Sequence, residues 1–165
     1  MALGKVDITK GTIILVSLRI VPLNFRHIHF FVEHIRPEDI AECLVTHGDN
    51  PLDMTINEYI QAGAMALVNQ KDEVLAIAGV HEGIMWLLGT TLMETNKVAF
   101  MRWSKTCMLP QLLKVNKYMF NITWKVNSLH YKWLKWLGCI VLEENDDFVL
   151  FAFDQSSLKD GENNV

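Results

Sequence analysis

Short apolar runs alternate with polar and amphipathic stretches along this chain. Runs rich in β-branched and aromatic residues, bounded by polar or turn-forming residues, are typical of strands. They predict strands at Ile13–Ile20, Phe30–His34, Ala66–Asn69, Val74–Val80, Ile84–Thr91, Tyr118–Val126, Cys139–Leu142 and Phe148–Phe153. Val74–Val80 is apolar at every position, which indicates a strand covered on both faces.

Amphipathic stretches that follow capping signals predict the helices. Proline and acids suit the first helical turn, and Thr55 with Glu58 has the spacing of a capping box. The predicted helices run from Pro37 to about Thr46, from Thr55 to about Gly63, from Glu94 to Val115 with a kink or early end at Pro110, and from Asn127 or Ser128 to Leu137, with Gly138 as terminator.

This order of elements predicts an α/β fold with a mixed, partly parallel sheet and helices on both faces. We expect an N-terminal extension with an extra strand at 1–28, one domain at 29–154, and a flexible polar tail at 155–165. The apolar run after Lys5 and Lys10 could also be the core of a signal peptide. Arg19 interrupts that run and no small-residue cleavage site follows, so we favour the strand.

The composition of the chain excludes several classes of protein and function. Half of the residues are apolar and the formal net charge is −4, so neither disorder nor a general affinity for nucleic acid is expected. Cys43, Cys107 and Cys139 are odd in number and lack paired spacing, which favours free thiols over disulfides or a zinc site. The 12–22 apolar run is shorter than the ~20 residues of a membrane span.

Four short motifs stand out in order along the chain: the Ile35-Arg36-Pro37 triplet, the LAIAG strand Leu75–Gly79, the Trp-bearing strand MWLLGTT, and the form N-x-x-H-x-x-aromatic-L-K-x-x-G at Asn127, His130, Leu134, Lys135 and Gly138. Together they resemble the acetyltransferase-like (GNAT) superfamily, and within it the internal virion protein A family of podoviruses. The likeness covers about Phe30 to Asp154. The resemblance implies a GNAT-like fold and a phage origin.

The resemblance also implies where acetyl-CoA would bind, namely at the junction of the fourth strand and the long helix. The superfamily has a glycine-rich turn there, whose amides hold the pyrophosphate. Residues 91–100 contain no glycine, and Glu94 would lie near the phosphates, with Lys97 as partial compensation. We therefore expect no cofactor. If acetyl-CoA does bind, the candidate residues are Thr91, Leu92, Asn96, Lys97 and Asn127.

The catalytic positions are also altered. Leu134 stands where the superfamily's general-acid tyrosine would be, and Tyr131, three residues earlier, could reach the same face. Glu82 or His81, before the fourth strand, could act as the base, although both also suit an ordinary hairpin. Whether the chain is an enzyme stays open.

Histidines and tryptophans are candidates for other roles. His27 and His29 would share one face of a strand, with His34 nearby, but a metal would need a third ligand, so we expect no metal site. His130 suits a structural hydrogen bond better than catalysis. Trp124, Trp133 and Trp136 could anchor a protein partner or could pack the helix onto the sheet.

These features favour a phage GNAT-like protein that acts in virion assembly or infectivity, or as a protein-interaction module, without acyl transfer. Its partners would be other virion proteins or a host protein, and its location the virion or the host cytoplasm. The alternative is an active acetyl-CoA-dependent N-acetyltransferase that modifies a host protein or a small amine. A small-molecule sensor that uses the cleft between the parting strands is a third possibility.

Overall fold

Residues 18–158 are described in a computed structural model. The strands are β1 Arg19–Pro22, β2 Met65–Val68, β3 Val74–His81, β4 Ile84–Gly89, β5 Tyr118–Trp124, β6 Ile140–Glu144 and β7 Phe148–Asp154. The helices are α1 Phe25–His34, α2 Pro37–Thr46, α3 Ile56–Gln61, α4 Leu92–Trp103, α5 Leu109–Val115 and α6 Ser128–Leu137.

The strands form one mixed sheet in the order β1-β2-β3-β4-β5-β7-β6. All neighbouring strands are antiparallel except β4 and β5, which are parallel. The predicted fold class is therefore confirmed. Only the last residues of the predicted strand Ile13–Ile20 belong to the described part of the chain, and they begin β1.

Helices cover both faces of the sheet. On one face, α4, α5 and α6 enclose a core that includes Leu75, Met119, Leu134 and Phe153. On the other face, α1, α2 and α3 pack over a second core that includes Phe31, Tyr59 and Ile77. Side chains of β3 contribute to both cores, as expected for a strand that is apolar at every position.

The prediction of a strand at Phe30–His34 is wrong, because these residues end helix α1. Asn24 caps this helix, and its side-chain oxygen accepts a hydrogen bond from the His27 amide at 3.0 Å. The buried residues Ile28, Phe31 and Ile35 follow at helical spacing. The three consecutive apolar residues 30–32 fit the pattern of a strand when taken alone. The preceding cap identifies them as part of a helix.

The long helix after β4 is interrupted, as the proline in it predicts. A wide π-helical turn, Ser104–Met108, separates α4 from α5, and Pro110 lies in the first turn of α5. Proline has no N–H to donate within a helix, and a π turn relaxes the local bonding pattern. Ser104 in this turn is fully buried and accepts a hydrogen bond from the Trp133 indole at 3.0 Å.

Two other capping predictions hold, whereas Asn127 precedes α6 without a side-chain capping bond, because its side chain donates to Asp39 and Glu42. Thr55 and Glu58 form a reciprocal capping box at α3. Gly138 ends α6 with a left-handed backbone, φ 90°, which favours glycine. The first four residues of the predicted polar tail, Gln155–Leu158, instead form a 3₁₀ turn whose Gln155 side chain donates to the Leu113 carbonyl.

Candidate functional site

A gap opens between the two parallel strands in the middle of the sheet. β4 and β5 are paired at Ile84 and Phe120, close to their amino-terminal ends, where the Phe120 amide donates to the Gly83 carbonyl at 2.9 Å. The side chain of Asn121 then donates to the Met85 carbonyl at 2.7 Å. Beyond this point the described strands β4 and β5 have no backbone pairing, so they part toward their carboxyl ends.

Two carboxylates of helix α2 close the open end of this gap. Asp39 accepts a hydrogen bond from the backbone amide of Gly89, the last residue of β4, at 2.6 Å. Glu42 accepts one from the amide of Trp124, the last residue of β5, at 2.9 Å, and another from the Thr123 hydroxyl at 2.7 Å. Helix α2 therefore accepts hydrogen bonds from one amide of each strand, which a continuous sheet would direct at carbonyls of the neighbouring strand.

Helix α6 meets these carboxylates from the opposite face of the sheet. The Asn127 side chain donates to Glu42 at 2.7 Å and to Asp39 at 3.2 Å, and His130 Nδ1 donates to Glu42 at 3.0 Å. Because α2 and α6 cover different faces, these bonds pass through the gap. We call Arg36, Asp39, Glu42, Thr123, Asn127 and His130 the gap network.

The gap network is buried and nearly balanced in charge. Asp39, Glu42 and Arg36 are each less than a tenth exposed. Arg36 Nη1 lies 3.2 Å from Asp39 Oδ1, and His130 supplies a second positive charge when it is protonated. Buried ions persist only when paired and hydrogen-bonded, which describes both carboxylates here.

The pKa values of the two carboxylates are shifted in opposite directions. Burial raises the pKa of Asp39 above its usual value, against the opposing charge of Arg36. Burial also acts to raise the pKa of Glu42, but donation and charge from His130, with the bonds from Thr123 and Trp124, outweigh it and lower that pKa to about 2. Glu42 is therefore the firmly ionised member of the network.

The space that remains in the gap is small. A cavity of about 50 Å³ lies among Glu42, Cys43, Trp86, Asn121 and His130. Pockets that hold drug-sized ligands measure roughly 300–1,000 Å³, so this cavity suits a few water molecules at most. Burial and the nearby carboxylates raise the pKa of the Cys43 thiol to about 12, which leaves it a poor nucleophile.

The strand-to-helix junction after β4 already uses its amides. The Thr91 amide donates to the His34 carbonyl and the Thr90 amide to the Leu75 carbonyl, both at 2.8 Å. The Met93 and Glu94 amides donate to carbonyls within the same turn. Together with the bond from Gly89 to Asp39, five amides of this junction point at oxygens of the protein itself. Such a junction does not fit a diphosphate, which needs amides directed at its own oxygens.

The structure places most of the candidate coenzyme-binding residues along one helix start. Thr91 precedes α4, while Leu92, Asn96 and Lys97 lie in its first two turns. The Asn96 side chain donates back to the Leu92 carbonyl at 2.9 Å, and Lys97 is exposed. Asn127 alone among these candidates belongs to the gap network.

The candidate catalytic residues are not brought together. His81 and Glu82 form the exposed turn at the start of β4, and Gly89 lies five residues beyond Ile84, roughly 17 Å along the strand. The Tyr131 hydroxyl donates to Glu144 on β6 at 3.2 Å. Leu134 is 1% exposed and belongs to the core.

The three tryptophans differ in exposure. Trp133 is buried against Phe100, so its expected place on a partner surface is wrong. Trp136 is exposed, with the Lys105 ammonium 4.7 Å from its ring centre. Trp124 is half-buried and lines a shallow depression of about 270 Å³ with Pro37 and Val126.

The histidines near the first helix do not share a face. Because α1 is a helix, side chains two residues apart lie on nearly opposite sides of it. Accordingly, His27 is buried, whereas His29 is exposed beside Glu33. His34 bonds the Phe30 carbonyl at 2.8 Å. Within residues 18–158 no group of three or more histidine, cysteine or acidic side chains could hold a metal ion. None of the helices described in that range has the length and apolar character to cross a membrane.

Sequence reasoning missed the centre of the gap network. The sequence predicts for Asp39 only a place among the acids of the first helical turn, and it marks neither Glu42 nor Thr123. Their signal is the three-residue spacing of Asp39 and Glu42, which puts both on one helical face beside the apolar Ile40 and Cys43. Two acids on the inward face of a helix need buried partners.

Comparison with solved structures defines the class of fold. A GNAT-family acetyltransferase from Bacillus anthracis superposes with a TM-score of 0.63 at 10% identity, covering 84% of this chain and 95% of that one. A GCN5-related N-acetyltransferase from Kribbella flavida gives 0.58 at 12% identity, covering 83% and 97%. Spermidine N-acetyltransferase from Vibrio cholerae, solved with CoA and spermine, gives 0.55 at 10% identity, covering 86% and 98%.

The protein therefore has the GNAT-like acetyltransferase fold. At these identities the likeness concerns the fold alone, since one fold supports many activities. No protein-family model matches the sequence, and no curated protein matches it either.

Proposed function

We propose that this protein is a GNAT-fold binding protein that does not transfer acyl groups, and that its gap network replaces the coenzyme as the occupant of the parted strands. The observation that carries the proposal is the pair of bonds from Gly89 and Trp124 to the carboxylates of α2. An acyl donor that entered between β4 and β5 would have to displace both bonds and take one hydrogen-bond donor from each buried carboxylate, at a cost of about 1.5–3 kcal/mol per bond.

Two further features support the proposal. Five of the junction amides, those of Gly89, Thr90, Thr91, Met93 and Glu94, are engaged by protein oxygens. The buried Leu134 cannot donate a proton to a departing thiolate, and the hydroxyl of Tyr131 is directed at Glu144. A positioned general acid contributes about 10²–10⁴ in rate, so its loss weakens any residual chemistry.

The phage virion role is part of the same proposal. The motif residues that resemble the internal virion protein A family meet in space: Arg36, Asn127 and His130 all belong to the gap network, while Leu134 is packed in the core. In our interpretation these residues keep the gap closed, and the protein acts in virion assembly or infectivity through other virion proteins or a host protein. Its location would be the virion, the host cytoplasm or both.

Titration with acetyl-CoA tests the absence of acyl transfer. We expect no saturable heat by calorimetry and no change in melting temperature. The spermidine N-acetyltransferase of Vibrio cholerae, which binds CoA in its solved structure, serves as the positive control. A ligand that binds the folded state adds about 2.7 kcal/mol of stability at a hundredfold excess over its Kd, so binding would be visible. Micromolar binding would contradict the proposal and favour the alternative, an active N-acetyltransferase.

Substitution of Leu134→Tyr sharpens this test. If the absent tyrosine were the only defect, the variant would gain activity on amine substrates. We expect none, because the gap and the junction amides are unchanged, and we expect a cost of about 1–3 kcal/mol for overpacking the core. Mass spectrometry of purified particles tests the virion role, which fails if the protein occurs only in the lysate.

A further inference from the structure

One edge of the sheet ends in an exposed apolar strand. β6 is the last strand in the order, paired with β7 from Ile140 opposite Ala152 to Glu144 opposite Val149. Among residues 18–158 no strand covers its outer side. Val141 and Leu142 are 45% and 48% exposed. An edge strand presents unpaired backbone donors and acceptors, to which an extended segment can add.

The hairpin that continues from this edge is acidic. Glu143, Glu144, Asp146 and Asp147 are all exposed. Lys125 pairs with Glu144 at 2.6 Å, and within the described residues the other three acids form no ion pair. Glu143 and Glu144 thus end β6, Asp146 and Asp147 lie in the turn that follows, and among residues 18–158 Glu144 alone of these four acids forms an ion pair.

We propose that the β6 edge docks an extended, positively charged segment of a partner protein, which adds to the sheet as a further strand. This inference rests on the proposed role as a binding protein. Val141 and Leu142 would contact apolar side chains of the segment, and the acids of the hairpin would attract its Lys or Arg residues.

The same features disfavour a second copy of this chain as the occupant. The net charge of the chain is −4, and a second copy brings the same acidic hairpin to the interface. A complementary charge on the incoming segment removes this repulsion.

A model peptide tests the inference on the intact protein. The probe is a fluorescein-labelled peptide of alternating Lys and Val, capped at both ends, and binding is followed by fluorescence anisotropy at low salt. We expect saturable binding that weakens with added salt, because the attraction is partly electrostatic. The same peptide with N-methyl groups on alternate amides cannot form strand bonds and should bind about tenfold more weakly or not at all.

Charge reversal at the hairpin locates the site. The variant with E143K and D146K should bind the peptide about tenfold more weakly than wild type. The matched control carries E94K and D53K, two exposed acids elsewhere with the same change in net charge, and should bind like wild type. If the hairpin variant does not fold, the N-methyl comparison on the wild-type protein still decides.

Four results would overturn the inference. Equal binding of the N-methylated peptide would show nonspecific charge attraction, and equal loss in both reversal variants would place the site elsewhere. A concentration-dependent dimer that the hairpin variant abolishes would make a second copy the occupant. If neither the peptide nor acetyl-CoA binds, the β6 edge is excluded as a docking site, but the proposed function is not contradicted.

Discussion

The two ends of the β4–β5 pair are held together in different ways. Near the amino-terminal ends the strands are joined directly, by the Phe120 amide on the Gly83 carbonyl and by the Asn121 side chain on the Met85 carbonyl. At the carboxyl ends the strands have parted, and Asp39 and Glu42 of helix α2 bridge them.

The difference shows what parting a sheet requires. Strands that separate leave backbone amides without partners, and something must bond them. In an enzyme that opens a sheet for a ligand, the ligand can accept hydrogen bonds from these amides. Here carboxylates of the same chain accept them, so the bonds across the gap contribute to the stability of the folded protein. Substitutions at the two ends should therefore differ in cost.

The largest effect is expected for Glu42→Ala. Thr123, Trp124, Asn127 and His130 all donate to Glu42, so its removal takes this acceptor from four donors, of which Asn127 keeps its bond to Asp39, the remaining carboxylate. We expect a loss of about 3–5 kcal/mol in the free energy of unfolding, measured by urea denaturation. The exposed control Glu94→Ala should change it by less than about 0.5 kcal/mol. Similar values for both variants would show that the bridge contributes little.

Acid should weaken the same end of the pair. The pKa of Glu42 is lowered from 4.5 to about 2 in the folded protein, so the stability it contributes is present above pH 4.5 and is lost as the pH falls toward 2. Glu42→Gln lacks this contribution. The difference in unfolding free energy between wild type and Glu42→Gln should therefore shrink by about 2 kcal/mol between pH 4.5 and pH 3.

The pH dependence of stability due to Asp39 has the opposite sign. Its pKa is raised in the folded protein, so the stability it contributes is present at low pH and is lost as the pH rises. It is present in both proteins of this comparison, so it cancels to first order. If the difference in unfolding free energy between wild type and Glu42→Gln is constant with pH, Glu42 is not an ionised group with a lowered pKa.

A smaller effect is expected for Thr123→Val. The substitution keeps the shape of this fully buried residue and removes one hydroxyl that donates to the Glu42 carboxylate at 2.7 Å. A hydrogen bond to a charged group contributes about 1.5–3 kcal/mol, so the unfolding free energy should fall by about that amount. Thr95→Val, at an exposed position on α4, is the matched control and should be nearly neutral.

The smallest effect is expected at the directly paired end, for Asn121→Ala. Its side chain makes one bond across the strands, to the Met85 carbonyl, and the backbone pairing beside it remains. The loss should be about 1 kcal/mol, measured by the same denaturation. A loss as large as that of Glu42→Ala would reverse the order of the two ends.

The sequence predicted the fold well and the centre of the site poorly. Local signals such as the Thr55–Glu58 capping box, Gly138 and the all-apolar strand β3 act within a few residues, so they can be recognised directly. The gap network instead joins Asp39 to Gly89 and Glu42 to His130, pairs that are 50 and 88 residues apart. No local pattern specifies such partners.

The error at α1 has the same origin. An apolar run of three residues fits a strand or a buried helix equally, and the cap at Asn24 that decides between them lies outside the run. The absence of glycine after β4 predicts a junction unfavourable for a diphosphate, but the sequence could not show that the amides of Thr90 and Thr91 bond to Leu75 and His34.

Hydrogen exchange of two amides tests the central claim most directly. If Asp39 and Glu42 hold the parted strands, the Gly89 and Trp124 amides should exchange slowly, at rates set by global unfolding, and Glu42→Gln should accelerate Trp124 more than Phe120. Exchange of Gly89 and Trp124 in the wild-type protein at rates close to those of an unstructured chain would contradict the account.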